Sequence, residues 1–210
     1  QIGGFGFMTS ATLLLLAFGR RIGLREKVLI SESLGITRLG GLVKIVALMA
    51  IFTVLSETIG AVIFYQHFSR ANSVGTSVWL STFQAISSFN NAGFDPYGNF
   101  QSLSSYQNSP LILLVTAVLI ILGGISFSVV ADLIKARNRL SRLSLDSKLV
   151  LFTTSLLLAL GMVVVLLTEF NNNETLGNLS PPLVILNAFF QSVTARTAGF
   201  STISMNYMAS

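Results

Sequence analysis

Two short stretches could do chemistry, and they say nearly the same thing. Residues 87–94 read Ser-Ser-Phe-Asn-Asn-Ala-Gly-Phe, and residues 193–200 read Val-Thr-Ala-Arg-Thr-Ala-Gly-Phe. Both end in Ala-Gly-Phe, and each has a hydroxyl residue, Ser88 or Thr194, five before its glycine. Each follows an apolar segment, yet each is too short and too polar to cross a bilayer. Irregular polar backbone at membrane depth persists only where it is buried in protein or lines a water-filled path. The chemistry that suits such a stretch is cation coordination. A dehydrated cation needs its lost water replaced, and backbone carbonyls do this when several loops point them at one axis. Glycine supplies the unusual φ that this requires. The expected carbonyl strips are Asn90, Asn91, Ala92 and Gly93 in one loop and Thr197, Ala198 and Gly199 in the other. A short helix ending just before each strip would aim its negative C-terminal end at the ion.

Other chemistry has little to work with. The chain has no cysteine, so disulfides and thiolate sites do not arise. Its one histidine, His67, excludes a site needing two imidazoles and is assigned no special role. Arg196 is a cation three residues before Gly199, and intramembrane charges are costly and usually functional. A charge lining a cation path would repel the ion. Arg196 is therefore expected to point behind its loop, towards a carboxylate or carbonyls, as a brace. Ser88 and Thr194 are expected to support the strips in the same structural sense. The side chains of Asn90 and Asn91 should fix their loop by hydrogen bonds. Glu57 is a partner for Arg196, a partner elsewhere in the bundle, or a cation attractor; the sequence leaves all three open.

The elements that must position these residues are membrane helices. The 210 residues are 52% hydrophobic and only 10% charged, with a mean hydropathy of +0.74. Soluble domains carry about 25% charged residues, so too little polar surface remains to cover a globule in water. A span needs about 20 apolar residues. Residues 42–65, 110–133 and 149–168 read as full spans, and residues 1–19 as the end of another. Residues 78–89 and 181–194 are shorter helix-like runs, and Pro181-Pro182 suits a helix start. The net charge of +5 does not point to nucleic acid. Of 13 Lys/Arg, six lie between Arg20 and Lys44 and five between Lys135 and Lys148. Basic residues in short loops between spans mark the cytoplasmic side. Segments 20–44 and 135–148 are read as cytoplasmic; both short polar runs then enter from the outside and return to it. Docking of a cytosolic partner or of lipid head groups on 135–142 is a weaker reading than topology setting.

The order span, short run, polar loop, span occurs once whole and once without its last span. Gly3-Gly4-Phe5-Gly6-Phe7 matches Gly123-Gly124-Ile125-Ser126-Phe127, at the place of the span after a pore loop. Internal repetition of this kind decides the fold class. The expectation is an all-α membrane protein of tandem helix–re-entrant pore loop–helix repeats, here incomplete. Residues 1–40 are read as the end of a first repeat with its cytoplasmic connection. Residues 41–140 form a complete second repeat, and 141–210 the start of a third. The chain is expected to be an internal piece of a longer protein. Gly3-Gly4 and Gly123-Gly124 are read as packing or bending points in spans.

The two pore-loop stretches and the Gly-Gly-Phe-Gly-Phe span resemble the Trk/Ktr/HKT potassium transporters, with the Arg-containing third loop most like the Ktr-type membrane subunits. The resemblance covers essentially the whole chain in the family's order. It implies four repeats around a pseudo-fourfold pore, with Gly93 and Gly199 as filter glycines and potassium as the transported ion, without a cofactor. It also implies a homodimer in the plasma (inner) membrane, in contact with membrane lipid. A cytosolic nucleotide-binding regulatory ring of the KtrA/TrkA-like type would gate it. The implied function is potassium transport through a carbonyl filter. Alternatives are a single-chain or tetrameric potassium channel and a sodium-selective or sodium-coupled relative. A water or glycerol channel would need Asn-Pro-Ala at its helix starts. An intramembrane enzyme would need paired acids, a Ser-His pair or a zinc motif, and no span here holds two acids.

Overall fold

The computed structural model describes residues 42–98, 101–136, 140–170, 172 and 174–203. The first-repeat expectation over 1–40, including Gly3-Gly4, lies outside the described residues. Among the described residues every regular element is helical. In chain order they are α1 (Leu42–Phe68), α2 (Val74–Phe89), α3 (Pro110–Gly124), α4 (Phe127–Ala136), α5 (Leu145–Glu169) and α6 (Pro181–Thr197). Single 3₁₀ turns occupy Ser104–Tyr106 and Leu140–Arg142.

Among the described residues two helices are long and apolar enough to cross a membrane, Ala47–Phe68 within α1 and α5. A third span is possible only if the bent pair α3 and α4 acts as one. Here the structure differs from the continuous span expected over 110–133. α3 stops at Gly124, Ile125 is extended (φ −85°, ψ 133°), and the chain resumes at about a right angle, 100°. Two successive glycines are poor helix formers, at roughly 1 kcal/mol each relative to alanine. The helix breaks where that weakness lies.

α3 is the central strut. It packs against α1, α2 and α6, while α5 packs on α6 and α4 on α5. One hydrophobic cluster, including Phe64, Phe68, Phe89, Leu113, Leu119, Phe190 and Phe200, draws on α1, α2, α3, α6 and the segment after α6. A smaller one joins Leu176, Val184, Ala188 and Ile203 to α5. Leu149, Phe152, Leu157, Leu160 and Leu167 of α5 are exposed, as suits a helix whose solvent is lipid.

The short helices α2 and α6 are polar yet buried. α2 starts one turn earlier than the apolar run suggests, because Ser73 caps it through the Thr76 N–H. Its serines satisfy themselves on the preceding turn: Ser77 donates to Ser73 O (2.8 Å), Ser81 to Ser77 O (2.6 Å) and Ser88 to Gln84 O (2.6 Å). Back-bonding of this kind lets hydroxyls sit in an apolar interior without orphaned donors. α6 begins on Pro181 and Pro182, as the sequence suggests, and Ser192 docks it onto α5 by donating to Leu158 O (2.8 Å).

Gln84, fully buried, ties α2 to its surroundings. Its amide nitrogen donates to Ser88 Oγ (3.3 Å) and Thr116 Oγ1 (3.5 Å), and its oxygen accepts from the Tyr97 hydroxyl (3.3 Å). Burial, with Tyr106 and Asp95 adding to it, pushes the Tyr97 phenol well above its ordinary range, so it stays a donor. Gln84→Leu keeps the volume and removes all three bonds. It should lower stability by about 1–3 kcal/mol, read as a lower thermal midpoint of the purified protein in detergent. Thr58→Val, which removes only an exposed bond to Val54 O, should shift it far less.

Candidate functional site

The ends of α2 and α6 bring the two glycine loops side by side. Gly93 (φ 65°), Gly199 (φ 77°) and Asn91 (φ 52°) all lie in the left-handed region. Each glycine follows a helix C-terminus, whose partial negative charge favours a nearby cation. The loops abut closely: a Cβ on Gly93 would overlap the Ala198 carbonyl oxygen. Across the same junction Thr197 Oγ1 donates to Asn91 Oδ1 (2.9 Å). These two residues hold equivalent places, each two before its glycine.

The supports behind the loops differ between repeats. Asn90, three before Gly93, donates to Glu57 Oε1 (2.9 Å) and to Ile86 O (2.8 Å). Arg196, three before Gly199, donates from Nη2 to Gly124 O (2.6 Å). The guanidinium therefore meets a backbone carbonyl of α3, and the Glu57 carboxylate meets Asn90. Asn91 also donates to Phe89 O (3.4 Å). The hydroxyls clasp the phenylalanine after each glycine. Thr194 Oγ1 donates to Phe200 O (2.8 Å), and Ser87 Oγ accepts from the Phe94 N–H (3.0 Å). Ser88, which spacing pairs with Thr194, faces Gln84 instead. The two loops are out of step because α2 ends four residues before its glycine and α6 only two. Thr197 is accordingly the last helical residue of α6, and Ala198 its αR cap. Gly199 and Thr197 are exposed, Asn90 to Gly93 are half-buried, and Ala198 is buried.

Several supports escape a reading of motif spacing. Asp95 accepts from the Tyr97 N–H (2.7 Å) and the Ser102 N–H (2.9 Å), closing the segment after the first loop. Ser201 Oγ accepts from the Ile203 N–H (3.3 Å) in the same two-residue turn. Asp95 and Ser201 both stand two after their glycine, so carrying the repeat comparison past Ala-Gly-Phe finds them. The loops are also pinned to each other, by Leu103 N–H to Ser201 O (2.9 Å) and Ser201 N–H to Ser102 Oγ (3.0 Å). No local signal marks that pairing. His67 packs its ring edge-on against Phe68 and Tyr106.

The two glycines should respond differently to alanine. At Gly199 the added Cβ meets open space, leaving only the left-handed cost of about 1–2 kcal/mol. At Gly93 the same cost is joined by collision with backbone at Ala198. Gly93→Ala should therefore lower the thermal midpoint more than Gly199→Ala, measured on the purified protein in detergent.

Comparison with known proteins gives the family. A family model described as TrkH, cation transport protein, matches residues 1–209. The chain is 38% identical to the Ktr system potassium uptake protein B of Bacillus subtilis (strain 168) over 208 residues, 99% of this chain and 46% of that protein. It is 37% identical to the protein of the same name from Vibrio alginolyticus, over 98% of this chain and 45% of that one. It is 34% identical to the potassium/sodium uptake protein NtpJ of Enterococcus hirae, over all of this chain and 46% of that protein. The chain thus spans less than half the length of these relatives. A match along nearly its whole length, joined to helices apolar enough to cross a membrane, makes this a membrane protein of the TrkH cation transport family.

Proposed function

We propose that this chain supplies two of the loops of a potassium-selective filter in a larger transport protein. The observation that carries the reading is the meeting of two left-handed glycine loops at two helix ends, with equivalent residues Asn91 and Thr197 in contact. Cations are drawn by the helix ends and coordinated by backbone carbonyls of Asn90, Asn91, Ala92 and Gly93 and of Thr197, Ala198 and Gly199. Arg196 braces its loop from behind. Its bond to Gly124 supports that role, since a guanidinium held by a carbonyl is withdrawn from the ion. Thr194 clasps the second loop directly, whereas Ser88 acts through Gln84.

Transport in this reading is passive flow of a monovalent cation through the plasma (inner) membrane. The basic segments 20–44 and 135–148 face the cytoplasm. The protein works as a homodimer with a cytosolic nucleotide-binding ring as regulator; that the similar proteins are named as parts of a Ktr system supports a separate regulatory subunit. The printed name of NtpJ favours a second reading, in which sodium also passes.

The test uses the full-length protein that contains this chain, expressed in a bacterium without potassium uptake of its own. Wild type should restore growth at low potassium and take up rubidium. Gly199→Ser should lower potassium affinity or admit more sodium, by about tenfold or more, since each 1.4 kcal/mol of lost coordination is a factor of ten. A wild type that carries no cation with its cytosolic partner supplied overturns transport. A Gly199→Ser variant indistinguishable from wild type overturns the placement of the filter.

A further inference from the structure

The bond from Arg196 to Gly124 joins two places that do different things. One is the last turn of α6, three residues before the glycine of the second loop. The other is the point where α3 ends and the chain bends by 100° into α4. In an unbroken helix the Gly124 carbonyl would accept an N–H four residues on. The chain leaves helical geometry at Ile125, and a part-buried carbonyl at membrane depth is costly to leave unpaired. The Arg196 guanidinium pairs this carbonyl, donating from Nη2.

The surroundings leave little slack. A Cβ on Gly124 would lie 2.7 Å from Arg196 Nη2 and 3.7 Å from Asn91 Nδ2. A Cβ on Gly123 would overlap the Phe89 carbonyl oxygen at the end of α2. The two glycines therefore seat the bend directly against the end of α2, against Asn91 of the first loop, and against Arg196 of the second. Thr197, next to Arg196, closes the circuit through Asn91.

We propose that Arg196 is a positioning residue that couples the bend between α3 and α4 to both ion-coordinating loops. Rotation of α4 about the bend moves Gly124, and through Arg196 and Asn91 it shifts the spacing of the two loops. The orientation of α4 thereby tunes which ion passes and how fast. This inference rests on the transport reading above and goes beyond a passive brace, because it makes ion choice depend on a segment outside the filter.

The test is a double-mutant cycle on the full-length protein in the same uptake-deficient bacterium, with membrane abundance measured for each variant. Arg196→Gln should lower rubidium influx about tenfold, the scale of a lost charge-assisted hydrogen bond, and reduce discrimination against sodium. Arg196→Lys, which keeps a cationic donor, should recover part of both. Gly124→Ala, which displaces the guanidinium, should lower discrimination at normal abundance. The double variant Arg196→Gln with Gly124→Ala should be no worse than Arg196→Gln alone, because both break one link. Effects that multiply as independent ones overturn the coupling, as does wild-type discrimination in Arg196→Gln. If Arg196→Gln does not accumulate in the membrane, Gly124→Ala decides: lowered discrimination supports the link, and wild-type discrimination overturns it. Gly199→Ser separates the two readings. If it changes selectivity while Arg196→Gln and Gly124→Ala do not, the filter stands and the coupling falls.

Discussion

A backbone carbonyl or N–H at membrane depth has no water to turn to, so the protein itself must pair it. In helices this costs nothing extra. The two glycine loops and the bend after Gly124 leave helical geometry, and each such place draws a specific side chain to it. Ser87 meets the Phe94 N–H, Thr194 meets Phe200 O, and Arg196 meets Gly124 O. Asp95 and Ser201 close the turns that follow. The need for these partners accounts for Ser87, Thr194 and Arg196, polar residues near the ends of the short helices. It also explains why α3 must stand centrally: it is the element both loops lean on.

The repeats agree in backbone and diverge in side chains. Gly93 and Gly199 share a left-handed conformation, and the residue two before each meets its counterpart. Behind them, one repeat uses an asparagine on a carboxylate and the other an arginine on a carbonyl. The proposed coordination by main-chain carbonyls would tolerate this divergence, because any residue supplies the same oxygen. Only the conformation must be kept, and glycine keeps it. The supports can then be specialised, and the arginine has become attached to a helix break that the asparagine does not reach.

Much of this was legible in residue order. The spans over α1 and α5, the short helices, the duplication of Ala-Gly-Phe and the family itself follow from hydropathy, spacing and motif. Those signals are local or repetitive, and they persist whatever the chain packs against. The ends of the elements were less legible. α2 begins earlier than its apolar run because a serine cap overrides composition, and α6 extends two residues further into its loop than α2 does.

What only the tertiary structure decided is which polar group meets which. Spacing paired Ser88 with Thr194, yet Ser87 takes that part, since the unequal helix ends rotate the hydroxyls by one position. Residue order leaves three roles open for Glu57; the fold sets the Asn90 amide against its carboxylate. The Gly123-Gly124 pair reads equally well as a packing point or a bend, and proves to be both. Hydrophobic periodicity records the solvent on each face of a helix, so residue order alone carries the spans and the repeats. A hydrogen bond between residues 72 apart, such as Arg196 to Gly124, depends on where two helices end in space, and no local property of either residue encodes that.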